Sequence, residues 1–88
     1  MKKTFYDEYD EMDYEIEIPE DLYKRAYEEH DYDALYEVGV ILETETEAPL
    51  YLVADIMYEA YDDGKGSDDA LYWLQDYRFS DGAADPYA

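Results

Sequence analysis

Ala34-Leu35-Tyr36-Glu37-Val38-Gly39-Val40-Ile41-Leu42 decides how this chain folds. Its apolar residues Ala34, Leu35, Val38, Ile41 and Leu42 fall at i, i+1, i+4, i+7 and i+8, one continuous face of a helix. Asp31 or Asp33 in front of them suits an N-cap. The same region, residues 38–46, is rich enough in β-branched side chains to read as a strand instead. The helical reading gives a mostly α chain, and the strand reading gives an α+β chain with a small sheet, residues 14–18 paired with 38–46.

Outward from this stretch the helical period recurs. Toward the N-terminus, Pro19 opens a helix with Glu20 and Asp21 at its positive end and one apolar stripe, Leu22, Tyr23, Ala26 and Tyr27. That helix should fray near His30-Asp31. Toward the C-terminus, Ala48-Pro49 restarts a helix that runs to about Tyr61, with the stripe Leu50, Val53, Ala54, Met57 and Tyr61. Asp62-Asp63-Gly64-Lys65-Gly66 breaks it. Ser67 then caps a last helix bearing Ala70, Leu71, Trp73, Leu74 and Tyr77, with Asp68 and Asp69 in its first turn. Tyr14, Ile16 and Ile18 alternate with Glu15 and Glu17, the period of a strand. Residues 1–13, in which Phe5, Tyr9 and Met12 keep a loose helical spacing, read as a flexible acidic arm, and residues 82–88 as a loose tail. The expectation is three or four short helices behind an extended N-terminal segment, all within one domain over 1–88.

Two pieces of this pattern resemble the Sel-like helical-pair repeats, relatives of the tetratricopeptide repeats. Ala34-Leu35-Tyr36-Glu37-Val38-Gly39 is similar to their A-x-Y-x-L-G signature. Gly64-Lys65-Gly66 followed by Ala70-x-x-Trp73 is similar to their G-x-G turn and A-x-x-W helix. The resemblance covers residues 22–82 and implies antiparallel helix pairs and a role in protein interaction. It departs from that family in a shortened stretch between the second glycine and Ala70, and in Ser67 where a small apolar residue belongs.

Composition sets the other boundary. Val, Ile, Leu and Phe number only 16 of 88 residues, a disorder-like figure beside so much charge. Thirteen tyrosines, Trp73 and three methionines change that answer. A tyrosine buries its ring and keeps its hydroxyl at a wet edge, which suits a thin core beneath a charged shell. The chain has no cysteine, so it holds no disulfide and no thiolate zinc site, and it fits a reducing compartment such as a cytoplasm. Met1-Lys2-Lys3 runs into Tyr6-Asp7-Glu8 without an apolar region, which predicts no secretion. No run of ~20 apolar residues is present for a membrane span.

Against six basic residues stand 26 acidic ones, a net charge of −20. Such a chain repels a phosphate backbone and an anionic membrane, so neither nucleic acid nor membrane is expected as a direct partner.

Catalytic chemistry finds little support, and no enzyme activity, cofactor or metal is expected. The single histidine, His30, stands among Glu28, Glu29, Asp31 and Asp33 with no cysteine in the chain, and is expected to be a solvated helix-end residue and not a catalytic base. Gly64-Lys65-Gly66-Ser67 lacks the glycine that a phosphate-binding loop needs five residues before its G-K-[ST]. Asp62 to Asp69 is acid-rich, but it misses the calcium-loop register and its closing glutamate.

The acidity itself points to a partner. Small domains keep a charge magnitude of roughly 2–8, and a larger excess costs stability through self-repulsion. Carboxylates at i and i+4 lie ~6 Å apart along a helix, near the phosphate spacing of a strand. The pairs Glu29 and Asp33, Asp33 and Glu37, Glu43 and Glu47, and Asp55 and Glu59 have that separation, with Asp69 and Asp76 two turns apart. Tyrosine adds a ring face for an opposing arginine. Length near 90, extreme acidity and absent cysteine together resemble the phage-encoded DNA-mimicking anti-restriction and anti-CRISPR inhibitors. That resemblance is compositional and implies a stoichiometric inhibitor of a defence nuclease or CRISPR effector in the bacterial host cytoplasm. The partner is then a basic nucleic-acid-binding protein. The rival readings are an acidic helical-repeat interaction module, and an antitoxin or immunity protein against a basic nuclease. The expected contact residues are Glu28, Glu29, Asp31, Tyr32, Asp33, Tyr36 and Glu37, ranked first, then Asp62, Asp63, Asp68 and Asp69, with the arm third.

Overall fold

The computed structural model describes residues 1–80. Its elements are β1 (Lys2–Asp7), β2 (Met12–Glu17), α1 (Glu20–Tyr27), α2 (Tyr32–Glu45), α3 (Leu50–Tyr61), a single 3-10 turn (Asp62–Gly64) and α4 (Asp68–Ser80). The protein is mostly α with a two-stranded antiparallel sheet. Consecutive helices pack on one another, α1 on α2, α2 on α3 and α3 on α4, and the hairpin rests on α2 through β2. The expected tail, 82–88, lies outside the described residues.

Local chemistry explains where each helix starts. Asp31 Oδ1 accepts the N–H groups of Asp33 and Ala34 at 3.0 and 3.3 Å. Ser67 Oγ accepts the N–H of Ala70 at 3.3 Å. Each cap satisfies N–H groups that have no partner inside the first helical turn. Pro19 and Pro49 stand immediately before α1 and α3, where the missing N–H costs nothing.

The core collects from β2, the residue after it and all four helices: Ile16 and Ile18, Leu22 and Ala26, Leu35, Val38 and Leu42, Val53, Ile56 and Met57, Ala70 and Leu74. Tyrosines 14, 23, 27, 36, 58, 61 and 77 pack around it partly buried, as a thin core with wet-edged rings requires. Gly39 permits close approach of α2 and α3, because a Cβ there would stand 2.8 Å from Met57 Cε and 3.3 Å from Ile56 Cγ2. Gly66 lies tighter still, with a Cβ position only 2.0 Å from the Ala60 carbonyl oxygen.

Two expectations need correction. Residues 38–46 are not a strand: 38–45 complete α2, and Thr46 leaves it in an extended conformation. Helical spacing turns Leu35, Val38 and Leu42 into the core together, whereas extended backbone would have put Leu35 on the face opposite Val38 and Leu42. The two threonines that weakened the helical reading are absorbed by it, Thr44 and Thr46 donating their hydroxyls to the Val40 and Leu42 carbonyls.

The arm is also different from its expectation. Residues 2–7 form β1 and pair with β2, Lys3 opposite Ile16 and Phe5 opposite Tyr14. The pairing continues to Met1, whose carbonyl accepts the Ile18 N–H at 2.7 Å and whose ammonium donates to the Ile18 carbonyl at 2.6 Å. Strand period, not helical spacing, governs Phe5, Tyr9 and Met12: Phe5 faces the core, Tyr9 sits in the four-residue hairpin loop, and Met12 is exposed.

Candidate acidic interaction face

The residues expected at the contact surface come from two segments 30 residues apart, and the fold joins them. Glu28 and Glu29 follow α1 and are exposed. His30 takes a left-handed conformation, φ 55°, and turns the chain into the Asp31 cap. Asp33 and Glu37 lie one turn apart on α2, both exposed. Tyr32, half-buried at the start of α2, donates its hydroxyl to Asp62 Oδ2 at 2.8 Å. Its ring also meets the glycine turn, with Cγ 3.0 Å from the position of a Cβ on Gly66. Tyr36 is drawn to the same side. Burial raises its hydroxyl above the ordinary tyrosine pKa, and the fields of Asp69 and Glu43 add to the rise.

The glycine turn itself is built from left-handed backbone. Asp62, Asp63 and Gly64 have φ of 48°, 54° and 91° in succession. Aspartate tolerates this conformation better than most side chains, and glycine adopts it freely. The result displays Asp63 in water beside Asp62, with exposed Asp68 and Asp69 opening α4. The hydrogen bond to Asp62 is the main reason the Tyr32 hydroxyl is raised, followed by the charge of Asp62 and by burial.

Not every expected residue is equally placed. Asp31 is spent on the α2 cap and lies 3.8 Å from Arg25, which also stands 4.0 Å from Asp21. Glu29 and Asp33 do not share a helix, because α1 ends at Tyr27 and α2 starts at Tyr32. Glu43 and Glu47 are separated likewise, α2 ending at Glu45. Glu43 instead accepts the Trp73 indole N–H at 3.0 Å. The i and i+4 pairs that stay within one helix are Asp33 with Glu37 on α2 and Asp55 with Glu59 on α3.

Three basic side chains, Lys2, Lys3 and Arg25, are turned to the protein's own surface. Lys2 faces Glu15 at 3.5 Å. Lys3 lies over the Tyr27 ring at 4.5 Å and the Phe5 ring at 5.9 Å. Arg25 sits between two aspartates as described. Such exposed pairs add little stability, but they leave few cations to offset the face around Tyr32 and Asp62, where Lys65 stands exposed.

Sequence reasoning missed a second polar feature. Asp7, at the inward end of β1, is 1% exposed, and Tyr51 on α3 donates to its Oδ2 at 2.6 Å. The residue 44 positions away that satisfies Asp7 leaves no signal near it in the sequence. Among the described residues no three histidine or carboxylate side chains converge as a metal site, and no helix is long and apolar enough to cross a membrane.

Compared with protein-family models, with curated proteins and with solved structures, the chain matches none of them.

Proposed function

We propose that this protein is a stoichiometric inhibitor that presents nucleic-acid-like charge to a basic nucleic-acid-binding protein, such as a bacterial defence nuclease or a CRISPR effector. The observation that carries the reading is the joining of residues 28–37 to residues 62–69 through Tyr32 and Asp62, which makes one anionic, tyrosine-bearing face from two acidic segments. Charges held on helices and a braced turn keep more of their interaction energy on binding than charges that must first be ordered. Dimensions support it. The molecule measures 38 × 32 × 18 Å, and duplex DNA carries one charge per ~1.7 Å of axis, hence ~20 charges over ~34 Å. The chain carries −20, two of its 26 acids lying beyond residue 80. Carboxylates one turn apart repel and destabilise a helix by a few tenths of a kcal/mol (~0.2–0.5), a cost that a partner's lysines and arginines would remove.

The test is capture from a bacterial lysate at low salt, elution with a salt gradient, and challenge with duplex DNA. A basic nucleic-acid-binding protein that duplex displaces is the expected result. Capture that neither salt nor duplex reverses overturns mimicry and favours an interaction module of the helical-repeat kind.

A further inference from the structure

A hollow of about 600 Å3 opens between the hairpin loop and α3, and Tyr9, Asp10, Tyr51 and Asp55 line it. Its walls are held by one buried carboxylate. Asp7 Oδ2 accepts the Tyr51 hydroxyl at 2.6 Å, and Oδ1 accepts the N–H groups of Tyr9 and Asp10 at 3.0 and 3.4 Å. Three of the four lining residues are therefore oriented by Asp7, which is 1% exposed. The Tyr9 ring meets the Tyr51 ring edge-on, centroids 5.5 Å apart and planes at 89°. Tyr9 is nonetheless 85% exposed, so most of its ring remains in water.

We propose that this hollow receives an arginine side chain of a protein partner, its guanidinium against the Tyr9 ring and its N–H groups directed to the Asp10 and Asp55 carboxylates. Three properties of the site select that occupant. Two carboxylates, Asp10 and Asp55, line the hollow and no basic side chain does, so a cation is favoured. An aromatic face beside carboxylates suits a planar, weakly hydrated cation that stacks and donates in a fork, which is arginine and not lysine. Burial already raises the Asp55 carboxyl above its ordinary value, and an arriving cation would relieve that. The inference rests on the reading of the protein as a ligand for a basic partner, and supplies that partner's side chain at a second point of contact.

The test is an amide NMR titration of the full chain at fixed ionic strength with N-acetyl-arginine amide, and separately with N-acetyl-lysine amide. Arginine amide should shift the signals of Tyr9, Asp10, Tyr51 and Asp55 selectively and bind ~5-fold more tightly than lysine amide. Tyr9→Ala and Asp55→Asn, both at exposed positions, should each weaken it ~5-fold. Shifts spread equally over residues 28–37 and 62–69, equal binding of the two amides, or variants that bind like the parent overturn the site. The outcome is separable from that of the wider reading. Selective arginine binding without capture of a basic nucleic-acid-binding protein would remove mimicry and leave the site. Capture without selective arginine binding would do the reverse.

Discussion

Tyr32 and Asp62, 30 residues apart, meet in a 2.8 Å hydrogen bond that ties the start of α2 to the turn after α3. The bond holds Asp62 in its left-handed conformation and sets the two acidic segments against each other. Tyr32→Phe removes only the hydroxyl. It should leave the fold intact while loosening the turn, seen as faster amide exchange at residues 62–66. Charge reversal in block 28–37 and in block 62–69 should then be non-additive in nucleic-acid competition, since side chains in contact couple. Strictly additive losses would show two independent surfaces.

Salt should act on inhibition as it does on DNA binding. Between ~50 and ~200 mM salt, competition with nucleic acid should weaken by orders of magnitude if six or more charges are matched. A binding isotherm that stays flat over that interval excludes charge mimicry.

The helices were legible because their signals are local. Pro19, Asp31, Pro49 and Ser67 each stand where a helix starts, and a cap acts within three residues. β1 was hidden because its inward positions are Lys3, Phe5 and Asp7. Two of these three are charged, so the alternation that marks a half-buried strand is absent. Lys3 is accommodated by the Tyr27 ring and Asp7 by the Tyr51 hydroxyl, both far along the chain. The ambiguity at 38–46 has the opposite cause. Local propensity favoured either structure, and burial among the helices decided it. The candidate face was legible as composition, but its joining through Tyr32 and Asp62 was not, because nothing in either segment names the other.

Leu74 is 2% exposed within the core, on α4. Leu74→Ala should cost ~2–5 kcal/mol, a large share of what a domain of this size holds in reserve. Urea unfolding measures it.

Backbone strain at the glycine turn predicts a pair of opposite effects. Gly66→Ala places a methyl against the Ala60 carbonyl, at 2.0 Å, so α3 and the turn must move apart and the melting temperature should fall. Asp63 is exposed with φ 54°. Asp63→Gly should raise stability by ~0.5–1 kcal/mol, because glycine adopts that conformation without strain. Thermal melts of the two variants distinguish the signs.

Alkaline pH should destabilise the protein through Tyr27 and Tyr51, whose hydroxyls the fold holds protonated. Burial, with the charge of Glu59 and the neighbouring Tyr23, pushes Tyr27 up to about 12. The hydrogen bond to Asp7 is the main cause of a larger rise at Tyr51. A group whose pKa is higher in the folded than in the unfolded chain favours folding fully below the unfolded value, ~10. That contribution is lost as pH climbs from there through about 12. Tyr27→Phe should flatten the fall, which denaturant midpoints measured from pH 8 to 12 would register.

The close approach of α2 and α3 at Gly39 also determines how the protein meets an oxidant. Met57 is wholly enclosed where that glycine leaves room for its thioether, so an oxidant reaches its sulfur only when the core opens. Met1 and Met12, 48% and 51% exposed, can take up oxygen with the fold intact. Two sulfoxides should therefore form quickly and a third only as fast as the helices part, so peroxide uptake at Met57 keeps time with the opening of the core.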